Sequence, residues 1–189
     1  MAMELDNQEL KAIQNDENLR EQFLEQLIHE YSQSVLWLAY TYVKEKQLAE
    51  EVTQDVFMTC YNKISSFKNQ SSIKTWMYRI TVNKCKDELR KKSFKRFLLR
   101  NEQSQDNWGA YENHPESILV QEMEDEVLTN NVMSLPTKFR EVIYMHYFED
   151  MKIREISEIF NVKLNTIKTR LNRGRSMLRK MYEDKEGLK

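Results

Sequence analysis

The sequence predicts an all-α protein: two small helical domains joined by a flexible linker. Only three glycines and two prolines occur in 189 residues, too few for the turns an all-β chain needs. Over long stretches apolar residues recur every three or four positions, the period of a helix with one buried face. One segment, "RNEQSQDNWGAYENHPESI", has no such period. It is rich in Asn, Gln and Ser and holds one of the glycines and one of the prolines, so it reads as the linker. The expected division is residues 1–98, a linker over 99–117, and residues 118–189.

The first helix is expected from about Asn18 to Val43, where Phe23, Leu27, Tyr31, Val35, Ala39 and Val43 fall on one face. The second, from Leu48 to about Ile64, repeats the pattern with Val52, Val56, Cys60 and Ile64. Its other face carries Glu50, Glu51, Gln54 and Asp55. A polar loop, "SSFKNQSS", follows, and Ser71 or Ser72 can cap the third helix. That helix begins at Ile73 and packs through Ile73, Trp76, Met77, Ile80 and Leu89. After the linker, "ILVQEMEDEVLTNNVMSL" restarts helical periodicity. Pro136 is then expected in the first turn of a helix whose apolar face is Phe139, Val142, Ile143 and Tyr147. "KIREISEIF" is a short amphipathic helix, "NVK" a turn, and Leu164–Lys180 a long final helix.

Several function classes are excluded at this level. The N-terminal "MAMELDNQEL" is acidic and has no apolar core, unlike a secretory signal. The apolar run "VLWLAY" is far shorter than the roughly 18 residues of a membrane span, so no membrane insertion is expected. Cys60 and Cys85 read as reduced, buried thiols of a cytoplasmic protein. His29, His114 and His146 lack metal-ligand spacing. No glycine-rich phosphate loop, nucleophile constellation or metal cluster is present to suggest an enzyme or a cofactor.

Charge is where the sequence is informative. The formal net charge is −1, yet residues 1–60 hold twelve acids and four bases. Residues 84–100 hold eight bases and two acids, and residues 163–180 hold seven bases and no acid. Two separate basic segments point to a polyanion contacted at two places. The two last helices, joined by a short turn, have the helix-turn-helix pattern. Asn161 is placed where the turn needs a left-handed backbone, which Asn tolerates better than most residues. On a wheel of 100° per residue, Ile167, Leu171, Gly174 and Leu178 lie within about 60° of one another and face inward. Asn165, Thr169, Asn172, Arg173 and Ser176 lie opposite. Thr166 and Arg170 flank them on one side, Lys168 and Arg175 on the other. Amide, hydroxyl and guanidinium groups on one exposed face suit base edges and phosphates in a major groove. Gly174 costs about 1 kcal/mol against Ala in a helix interior, which a close-passing helix would explain.

At this point the two halves together resemble a known family. "LPTKFREVIYMHYFEDMKIREISEIFNVKLNTIKTRLNRGRSMLRK" is similar to region 4 of bacterial sigma factors of the extracytoplasmic-function (ECF) type. "QLAEEVTQDVFMTCYNKISSF" followed by "SSIKTWMYRITVNKCKDELRKK" resembles their region 2. The resemblance implies a subunit that binds core RNA polymerase at the β′ clamp and β flap, and directs promoter-specific initiation. It implies that Glu51, Gln54 and Asp55 meet β′. It implies that the loop of residues 65–72 captures an extruded minus-ten base. Asn69, Gln70 and Ser72 would offer polar edges to that base, and Phe67 or Trp76 a stacking surface, although Trp76 is expected in the core. Lys74, Arg79, Asn83, Lys86 and Arg90 are then placed along the minus-ten backbone. In the minus-35 element, Asn165, Thr166, Thr169, Arg170, Asn172 and Arg173 are the expected contacts, with Lys163 and Lys168 on phosphate. The resemblance further implies an anti-sigma factor as regulator, and an acidic linker that threads toward the RNA path. Where the family often shows Gly-Leu-Ser ahead of the first helix of the pair, this chain has Asp150-Met151-Lys152.

Two other functions compete. A free-standing regulator with a helix-turn-helix would bind duplex DNA tightly without polymerase, but has no need of the pattern over residues 48–92. An enzyme with a DNA-binding tail would need a catalytic constellation, and the sequence offers none.

Overall fold

The computed structural model describes residues 5–102 and 126–186. Eight α-helices and one short 3-10 turn make up the described part, in the order α1 (Asn7–Asn15), α2 (Glu17–Val43), α3 (Lys46–Lys63), the 3-10 turn (Ile64–Ser66), α4 (Ile73–Glu102), α5 (Glu126–Ser134), α6 (Thr137–Tyr147), α7 (Ile153–Phe160) and α8 (Leu164–Glu186). No strand occurs among the described residues.

Local chemistry sets most of the boundaries. Asp6 starts α1 by accepting from the backbone of Gln8 and Glu9 at 2.6 and 2.8 Å. Glu9 returns the favour to Asp6 N at 3.0 Å, which is a complete capping box. Asp16 ends α1 and starts α2, its carboxylate accepting from Leu19 N at 3.1 Å. Lys44 stops α2 in a left-handed conformation, φ 54°. Ser72 caps α4 by accepting from Thr75 N at 3.1 Å. The structure differs from expectation in five places. Leu89 and Tyr147, expected on packing faces, are exposed. Helix α1 is additional. Pro136 sits one position before α6, at its cap. Helix α4 runs on to Glu102, into the segment expected as linker; the rest of that segment lies outside the described residues.

Helices α2, α3 and α4 pack on one another, with α1 across α2 and the 3-10 turn. Their interior is Leu27, Val35, Leu38, Val52, Val56, Cys60, Ile73, Met77 and Val82. Cys60 and Cys85 are buried free thiols, and burial pushes both up to about 12. The second bundle is α5–α8, packed around Val142, Ile143, Met145, Ile156, Ile167 and Leu171. In it α6 is central: every residue from Phe139 to Met145 is buried. Arg140 is only 2% exposed. Its guanidinium donates to Met133 O and Leu135 O at 2.6 and 3.0 Å and to Thr137 Oγ1 at 3.3 Å. A cation thus satisfies carbonyls at the C-terminal end of α5, where the helix dipole is negative.

The two bundles also meet each other, α2 against α6 and α4 against α7. Apolar burial is therefore continuous from Leu10 to Leu171 rather than split into two isolated cores.

Gly174 shows how tightly α8 sits on α6. A Cβ there would stand 3.0 Å from Ile143 Cγ1 and 3.2 Å from its Cδ1. Ile143 is buried and β-branched, so it has little room to yield. Helix propensity alone favours Gly174→Ala by about 1 kcal/mol. Overpacking reverses the sign: the variant is expected to lose about 1 kcal/mol in urea denaturation followed by circular dichroism.

Candidate nucleic-acid interface

The helix-turn-helix is built from its turn outward. Asn161 adopts φ 52° and ψ 49°, the left-handed geometry that ends α7. Val162 N donates to Ser157 O at 3.1 Å, and Ser157 Oγ donates to Val162 O at 2.8 Å. The turn's polar groups are thus satisfied locally while α8 leaves at a fixed angle. At the other end of α7, Lys152 N donates to Glu155 Oε2 at 2.8 Å, so Asp150-Met151-Lys152 still opens the helix. Asp150 is itself left-handed, φ 51°, and Met151 N reaches back to Met145 O at 3.0 Å.

On α8, Ile167, Leu171 and Gly174 are buried and Leu178 is half-buried, the face the wheel assigns inward. Lys163, Asn165, Lys168, Thr169, Asn172 and Arg173 are exposed, and Thr166 is half-buried. Asn172 stands between two shallow depressions. One, of about 430 Å³, is lined by Phe139, Thr169, Arg173 and Met177 together with Asn172; the other, of about 220 Å³, by His146, Tyr147, Lys168 and Arg175 with it. Asn172 also accepts from Arg175. Arg170 departs from the expectation. It points away from the outer face and pairs with Glu141 at 2.9 Å, its guanidinium 5.9 Å from the centre of the Phe160 ring.

The candidates on the N-terminal bundle divide the same way. Gln70, Asn83, Lys86 and Arg90 are exposed, with Arg90 paired to Asp87. Phe67 is 6% exposed and tilted against Trp76, ring centres 5.1 Å apart; it therefore offers no free ring for stacking, contrary to expectation. Trp76 is half-buried against the core. Ser72 is engaged as the α4 cap. Asn69 is left-handed, φ 53°, and its amide donates to Leu5 O and Asn7 Oδ1 at 3.1 and 3.2 Å. Arg79 is half-buried. Glu51, Gln54 and Asp55 are exposed on α3, and Asp55 lies 3.4 Å from Lys84.

What sequence reasoning missed is the seam between the bundles. Two carboxylates of the C-terminal bundle are received there by tyrosines. Glu141 accepts from Tyr42 at 2.5 Å on one oxygen and pairs with Arg170 on the other. Burial pushes the Glu141 carboxyl up, and the Tyr42 hydrogen bond and the Arg170 charge pull it back only in part. Glu149 accepts from Tyr78 at 2.5 Å and Tyr144 at 2.8 Å, and Lys74 reaches both its carboxylate, at 3.0 Å, and its carbonyl, at 2.9 Å. Burial, reinforced by the adjacent carboxylates, holds the hydroxyls of Tyr42, Tyr78 and Tyr144 above their ordinary range, so they stay protonated donors. Lys86 closes the seam from the rim, its ammonium 5.3 Å from the centre of the Phe160 ring. Lys74, Lys86 and Arg170, three of the expected DNA contacts, are all engaged at this seam. No spacing rule pairs Tyr42 with Glu141, 99 residues away.

Among the described residues no group of His, Cys, Asp and Glu could hold a metal, and no helix is long and apolar enough to cross a membrane.

Comparison with known proteins agrees with this architecture. The Sigma-70 region 2 model matches residues 27–95, and the Sigma-70 region 4 model matches residues 128–178. The chain is 31% identical over 160 residues to the ECF RNA polymerase sigma factor SigW of Bacillus subtilis, covering 82% of this chain and 86% of that protein. It is 30% identical to the RNA polymerase sigma factor SigV of the same organism, over 80% of this chain and 86% of the relative. Among solved structures, the fold is shared with the sigma factor RpoE of Bartonella quintana, crystallised with the anti-sigma factor NepR (TM-score 0.66, 19% identity, 84% of this chain and 96% of that one). It is also shared with CnrH in complex with the cytosolic domain of CnrY (TM-score 0.63, 18% identity, 93% and 95%).

The seam makes a measurable claim. Glu149→Ala leaves Tyr78, Tyr144 and Lys74 without their shared acceptor, and breaking a buried charged cluster costs ~3 kcal/mol or more. The expected outcome is a larger radius of gyration in small-angle scattering with unchanged helical circular dichroism.

Proposed function

Because the chain belongs to the ECF group of RNA polymerase sigma factors, we propose that it works as one through two DNA-contacting surfaces, one on each bundle. It binds core polymerase and directs promoter-specific initiation, and is not itself an enzyme. It acts in the cytoplasm, where polymerase is. Two recognition units serve this purpose, the bundle that ends with α4 and the bundle of α5–α8.

One observation carries the reading. Helix α8 packs Ile167, Leu171 and Gly174 inward and presents Asn165, Thr169, Asn172 and Arg173 to solvent, in a chain that matches regions 2 and 4 in order. Those four side chains meet the minus-35 element, with Thr166 at the edge of the face and Lys163 and Lys168 on phosphate. The loop of residues 65–72, through Asn69 and Gln70, and α4, through Lys74, Arg79, Asn83, Lys86 and Arg90, serve the minus-ten element. Glu51, Gln54 and Asp55 on α3 meet polymerase.

The seam supports a closed, inactive form. Lys74 of the N-terminal bundle is committed to the Glu149 carboxylate of the other, and an engaged cation cannot neutralise phosphate. Polymerase and promoter binding must therefore separate the bundles. An anti-sigma factor that favours the closed form would hold the protein off, in keeping with a neighbour of the same fold crystallised with such a partner.

Run-off transcription with purified core polymerase and a genomic DNA library tests the reading. Promoter-specific starts are expected, and their absence sinks it. Arg173→Ala resolves the role of one side chain. A base contact costs about 1–3 kcal/mol at a single promoter position, whereas a phosphate contact lowers initiation evenly across sequences.

A further inference from the structure

Helix α1 lies outside the segment that matches region 2, which begins at residue 27. It is nevertheless anchored, with Leu10 and Ile13 buried at 5% and 8% exposure. What it touches is the start of the loop assigned above to the minus-ten element. Gln14 Nε2 donates to Ile64 O at 3.1 Å and to Phe67 O at 3.0 Å. Those carbonyls sit at the two ends of the 3-10 turn through which the chain leaves α3 and enters the loop. Gln14 is itself held: Arg20 Nη2 donates to its carbonyl at 2.8 Å, and the Arg20 guanidinium lies 5.7 Å from the centre of the Tyr61 ring on α3. Further along the loop, the left-handed Asn69 has its amide fastened to Leu5 O and Asn7 Oδ1. The N-terminal segment thus grips the loop at residues 64, 67 and 69, donating to the first two carbonyls and accepting from the Asn69 amide.

We propose that α1 is a brace that sets the loop in its base-receiving shape before DNA arrives, with Gln14 as its positioning residue. The inference rests on the assignment of residues 65–72 to the minus-ten element. The physical reason for a brace is entropic. A loop that has to catch an extruded base gains affinity when its backbone is already ordered, because binding no longer has to order it. The 3-10 turn needs such help: Ile64 O already accepts from Phe67 N at 3.1 Å, and Gln14 adds a second donor to that carbonyl while giving Phe67 O its own. Gln14 touches no DNA in this scheme and acts through the backbone it holds.

The test exploits the fact that Gln and Glu have the same shape but opposite hydrogen-bonding capacity toward a carbonyl. Holoenzyme is assembled with wild-type protein, Gln14→Ala, Gln14→Glu and Gln14→Lys. Each is assayed by run-off transcription on a promoter library randomised at the minus-ten and, separately, the minus-35 element. Amide hydrogen exchange over residues 64–72 is followed in parallel on the full-length protein. The donor-free Ala and Glu variants are expected to exchange faster in the loop and to lose about tenfold in minus-ten discrimination, the equivalent of one or two lost hydrogen bonds. Lys, which still donates, keeps both properties, and the minus-35 profile is unchanged in all four. Unaltered minus-ten profiles, an equal loss at both elements, or a gain of initiation in the Ala and Glu variants would each overturn the brace. Failure of the wild-type protein to initiate at specific promoters would instead overturn the underlying assignment, and is seen in the wild-type arm alone.

Discussion

A carboxylate in the middle of a fully buried helix is the constraint on which this structure turns. Helix α6 has no solvent face from Phe139 to Met145, yet the run includes Arg140, Glu141 and Tyr144. Each polar group must find a partner or pay the cost of desolvation. Arg140 solves its problem within its own bundle, on the carbonyls that end α5. Glu141 is met from both sides, by Arg170 of its own bundle and by Tyr42 of the other. Tyr144 shares Glu149 with Tyr78 of the other bundle. The packing of α6 is thus inseparable from the docking of the two bundles.

The chain is nearly neutral yet carries two strongly basic segments. Acidic and basic groups separated along the sequence are partly recombined within the bundles: Glu45 and Asp55 pair with Lys92 and Lys84, and Glu141 with Arg170. Among the other cations, Lys74 is neutralised across the seam by Glu149. Those on the outer face of α8, such as Lys168 and Arg173, remain exposed. A buried ion pair is a weak source of stability because desolvation offsets most of the attraction. It is a good switch element for the same reason: its members lose little when polyanion and solvent replace their protein partners.

The N-terminal segment follows similar logic on a smaller scale. Gln14 donates to loop carbonyls, and Leu5 and Asn7 accept from the Asn69 side chain. An element outside the two matched regions is therefore fixed to a part of the chain assigned to recognition. Two backbone carbonyls at the start of that loop are held by a side chain some fifty residues earlier in sequence.

The sequence by itself determined whatever depends on neighbours within a few residues. Helical periodicity located α2, α3, α4, α6, α7 and α8. Asn161 and Gly174 could each be assigned a role from residue chemistry alone, the α4 cap was narrowed to Ser71 or Ser72, and the inward face of α8 followed from the angle between successive residues. Helix α1 escaped the sequence reading because its apolar face, Leu10 and Ile13, is too short to stand out. Only the tertiary structure decided what lies across from each face. Periodicity fixes an angle about a helix axis but not the groups that meet it. It could not show that Arg170 turns to Glu141, that Lys74 is held by Glu149, or that Phe67 is buried on Trp76. Those outcomes rest on contacts between residues tens of positions apart, whose pairing is set by how whole helices pack.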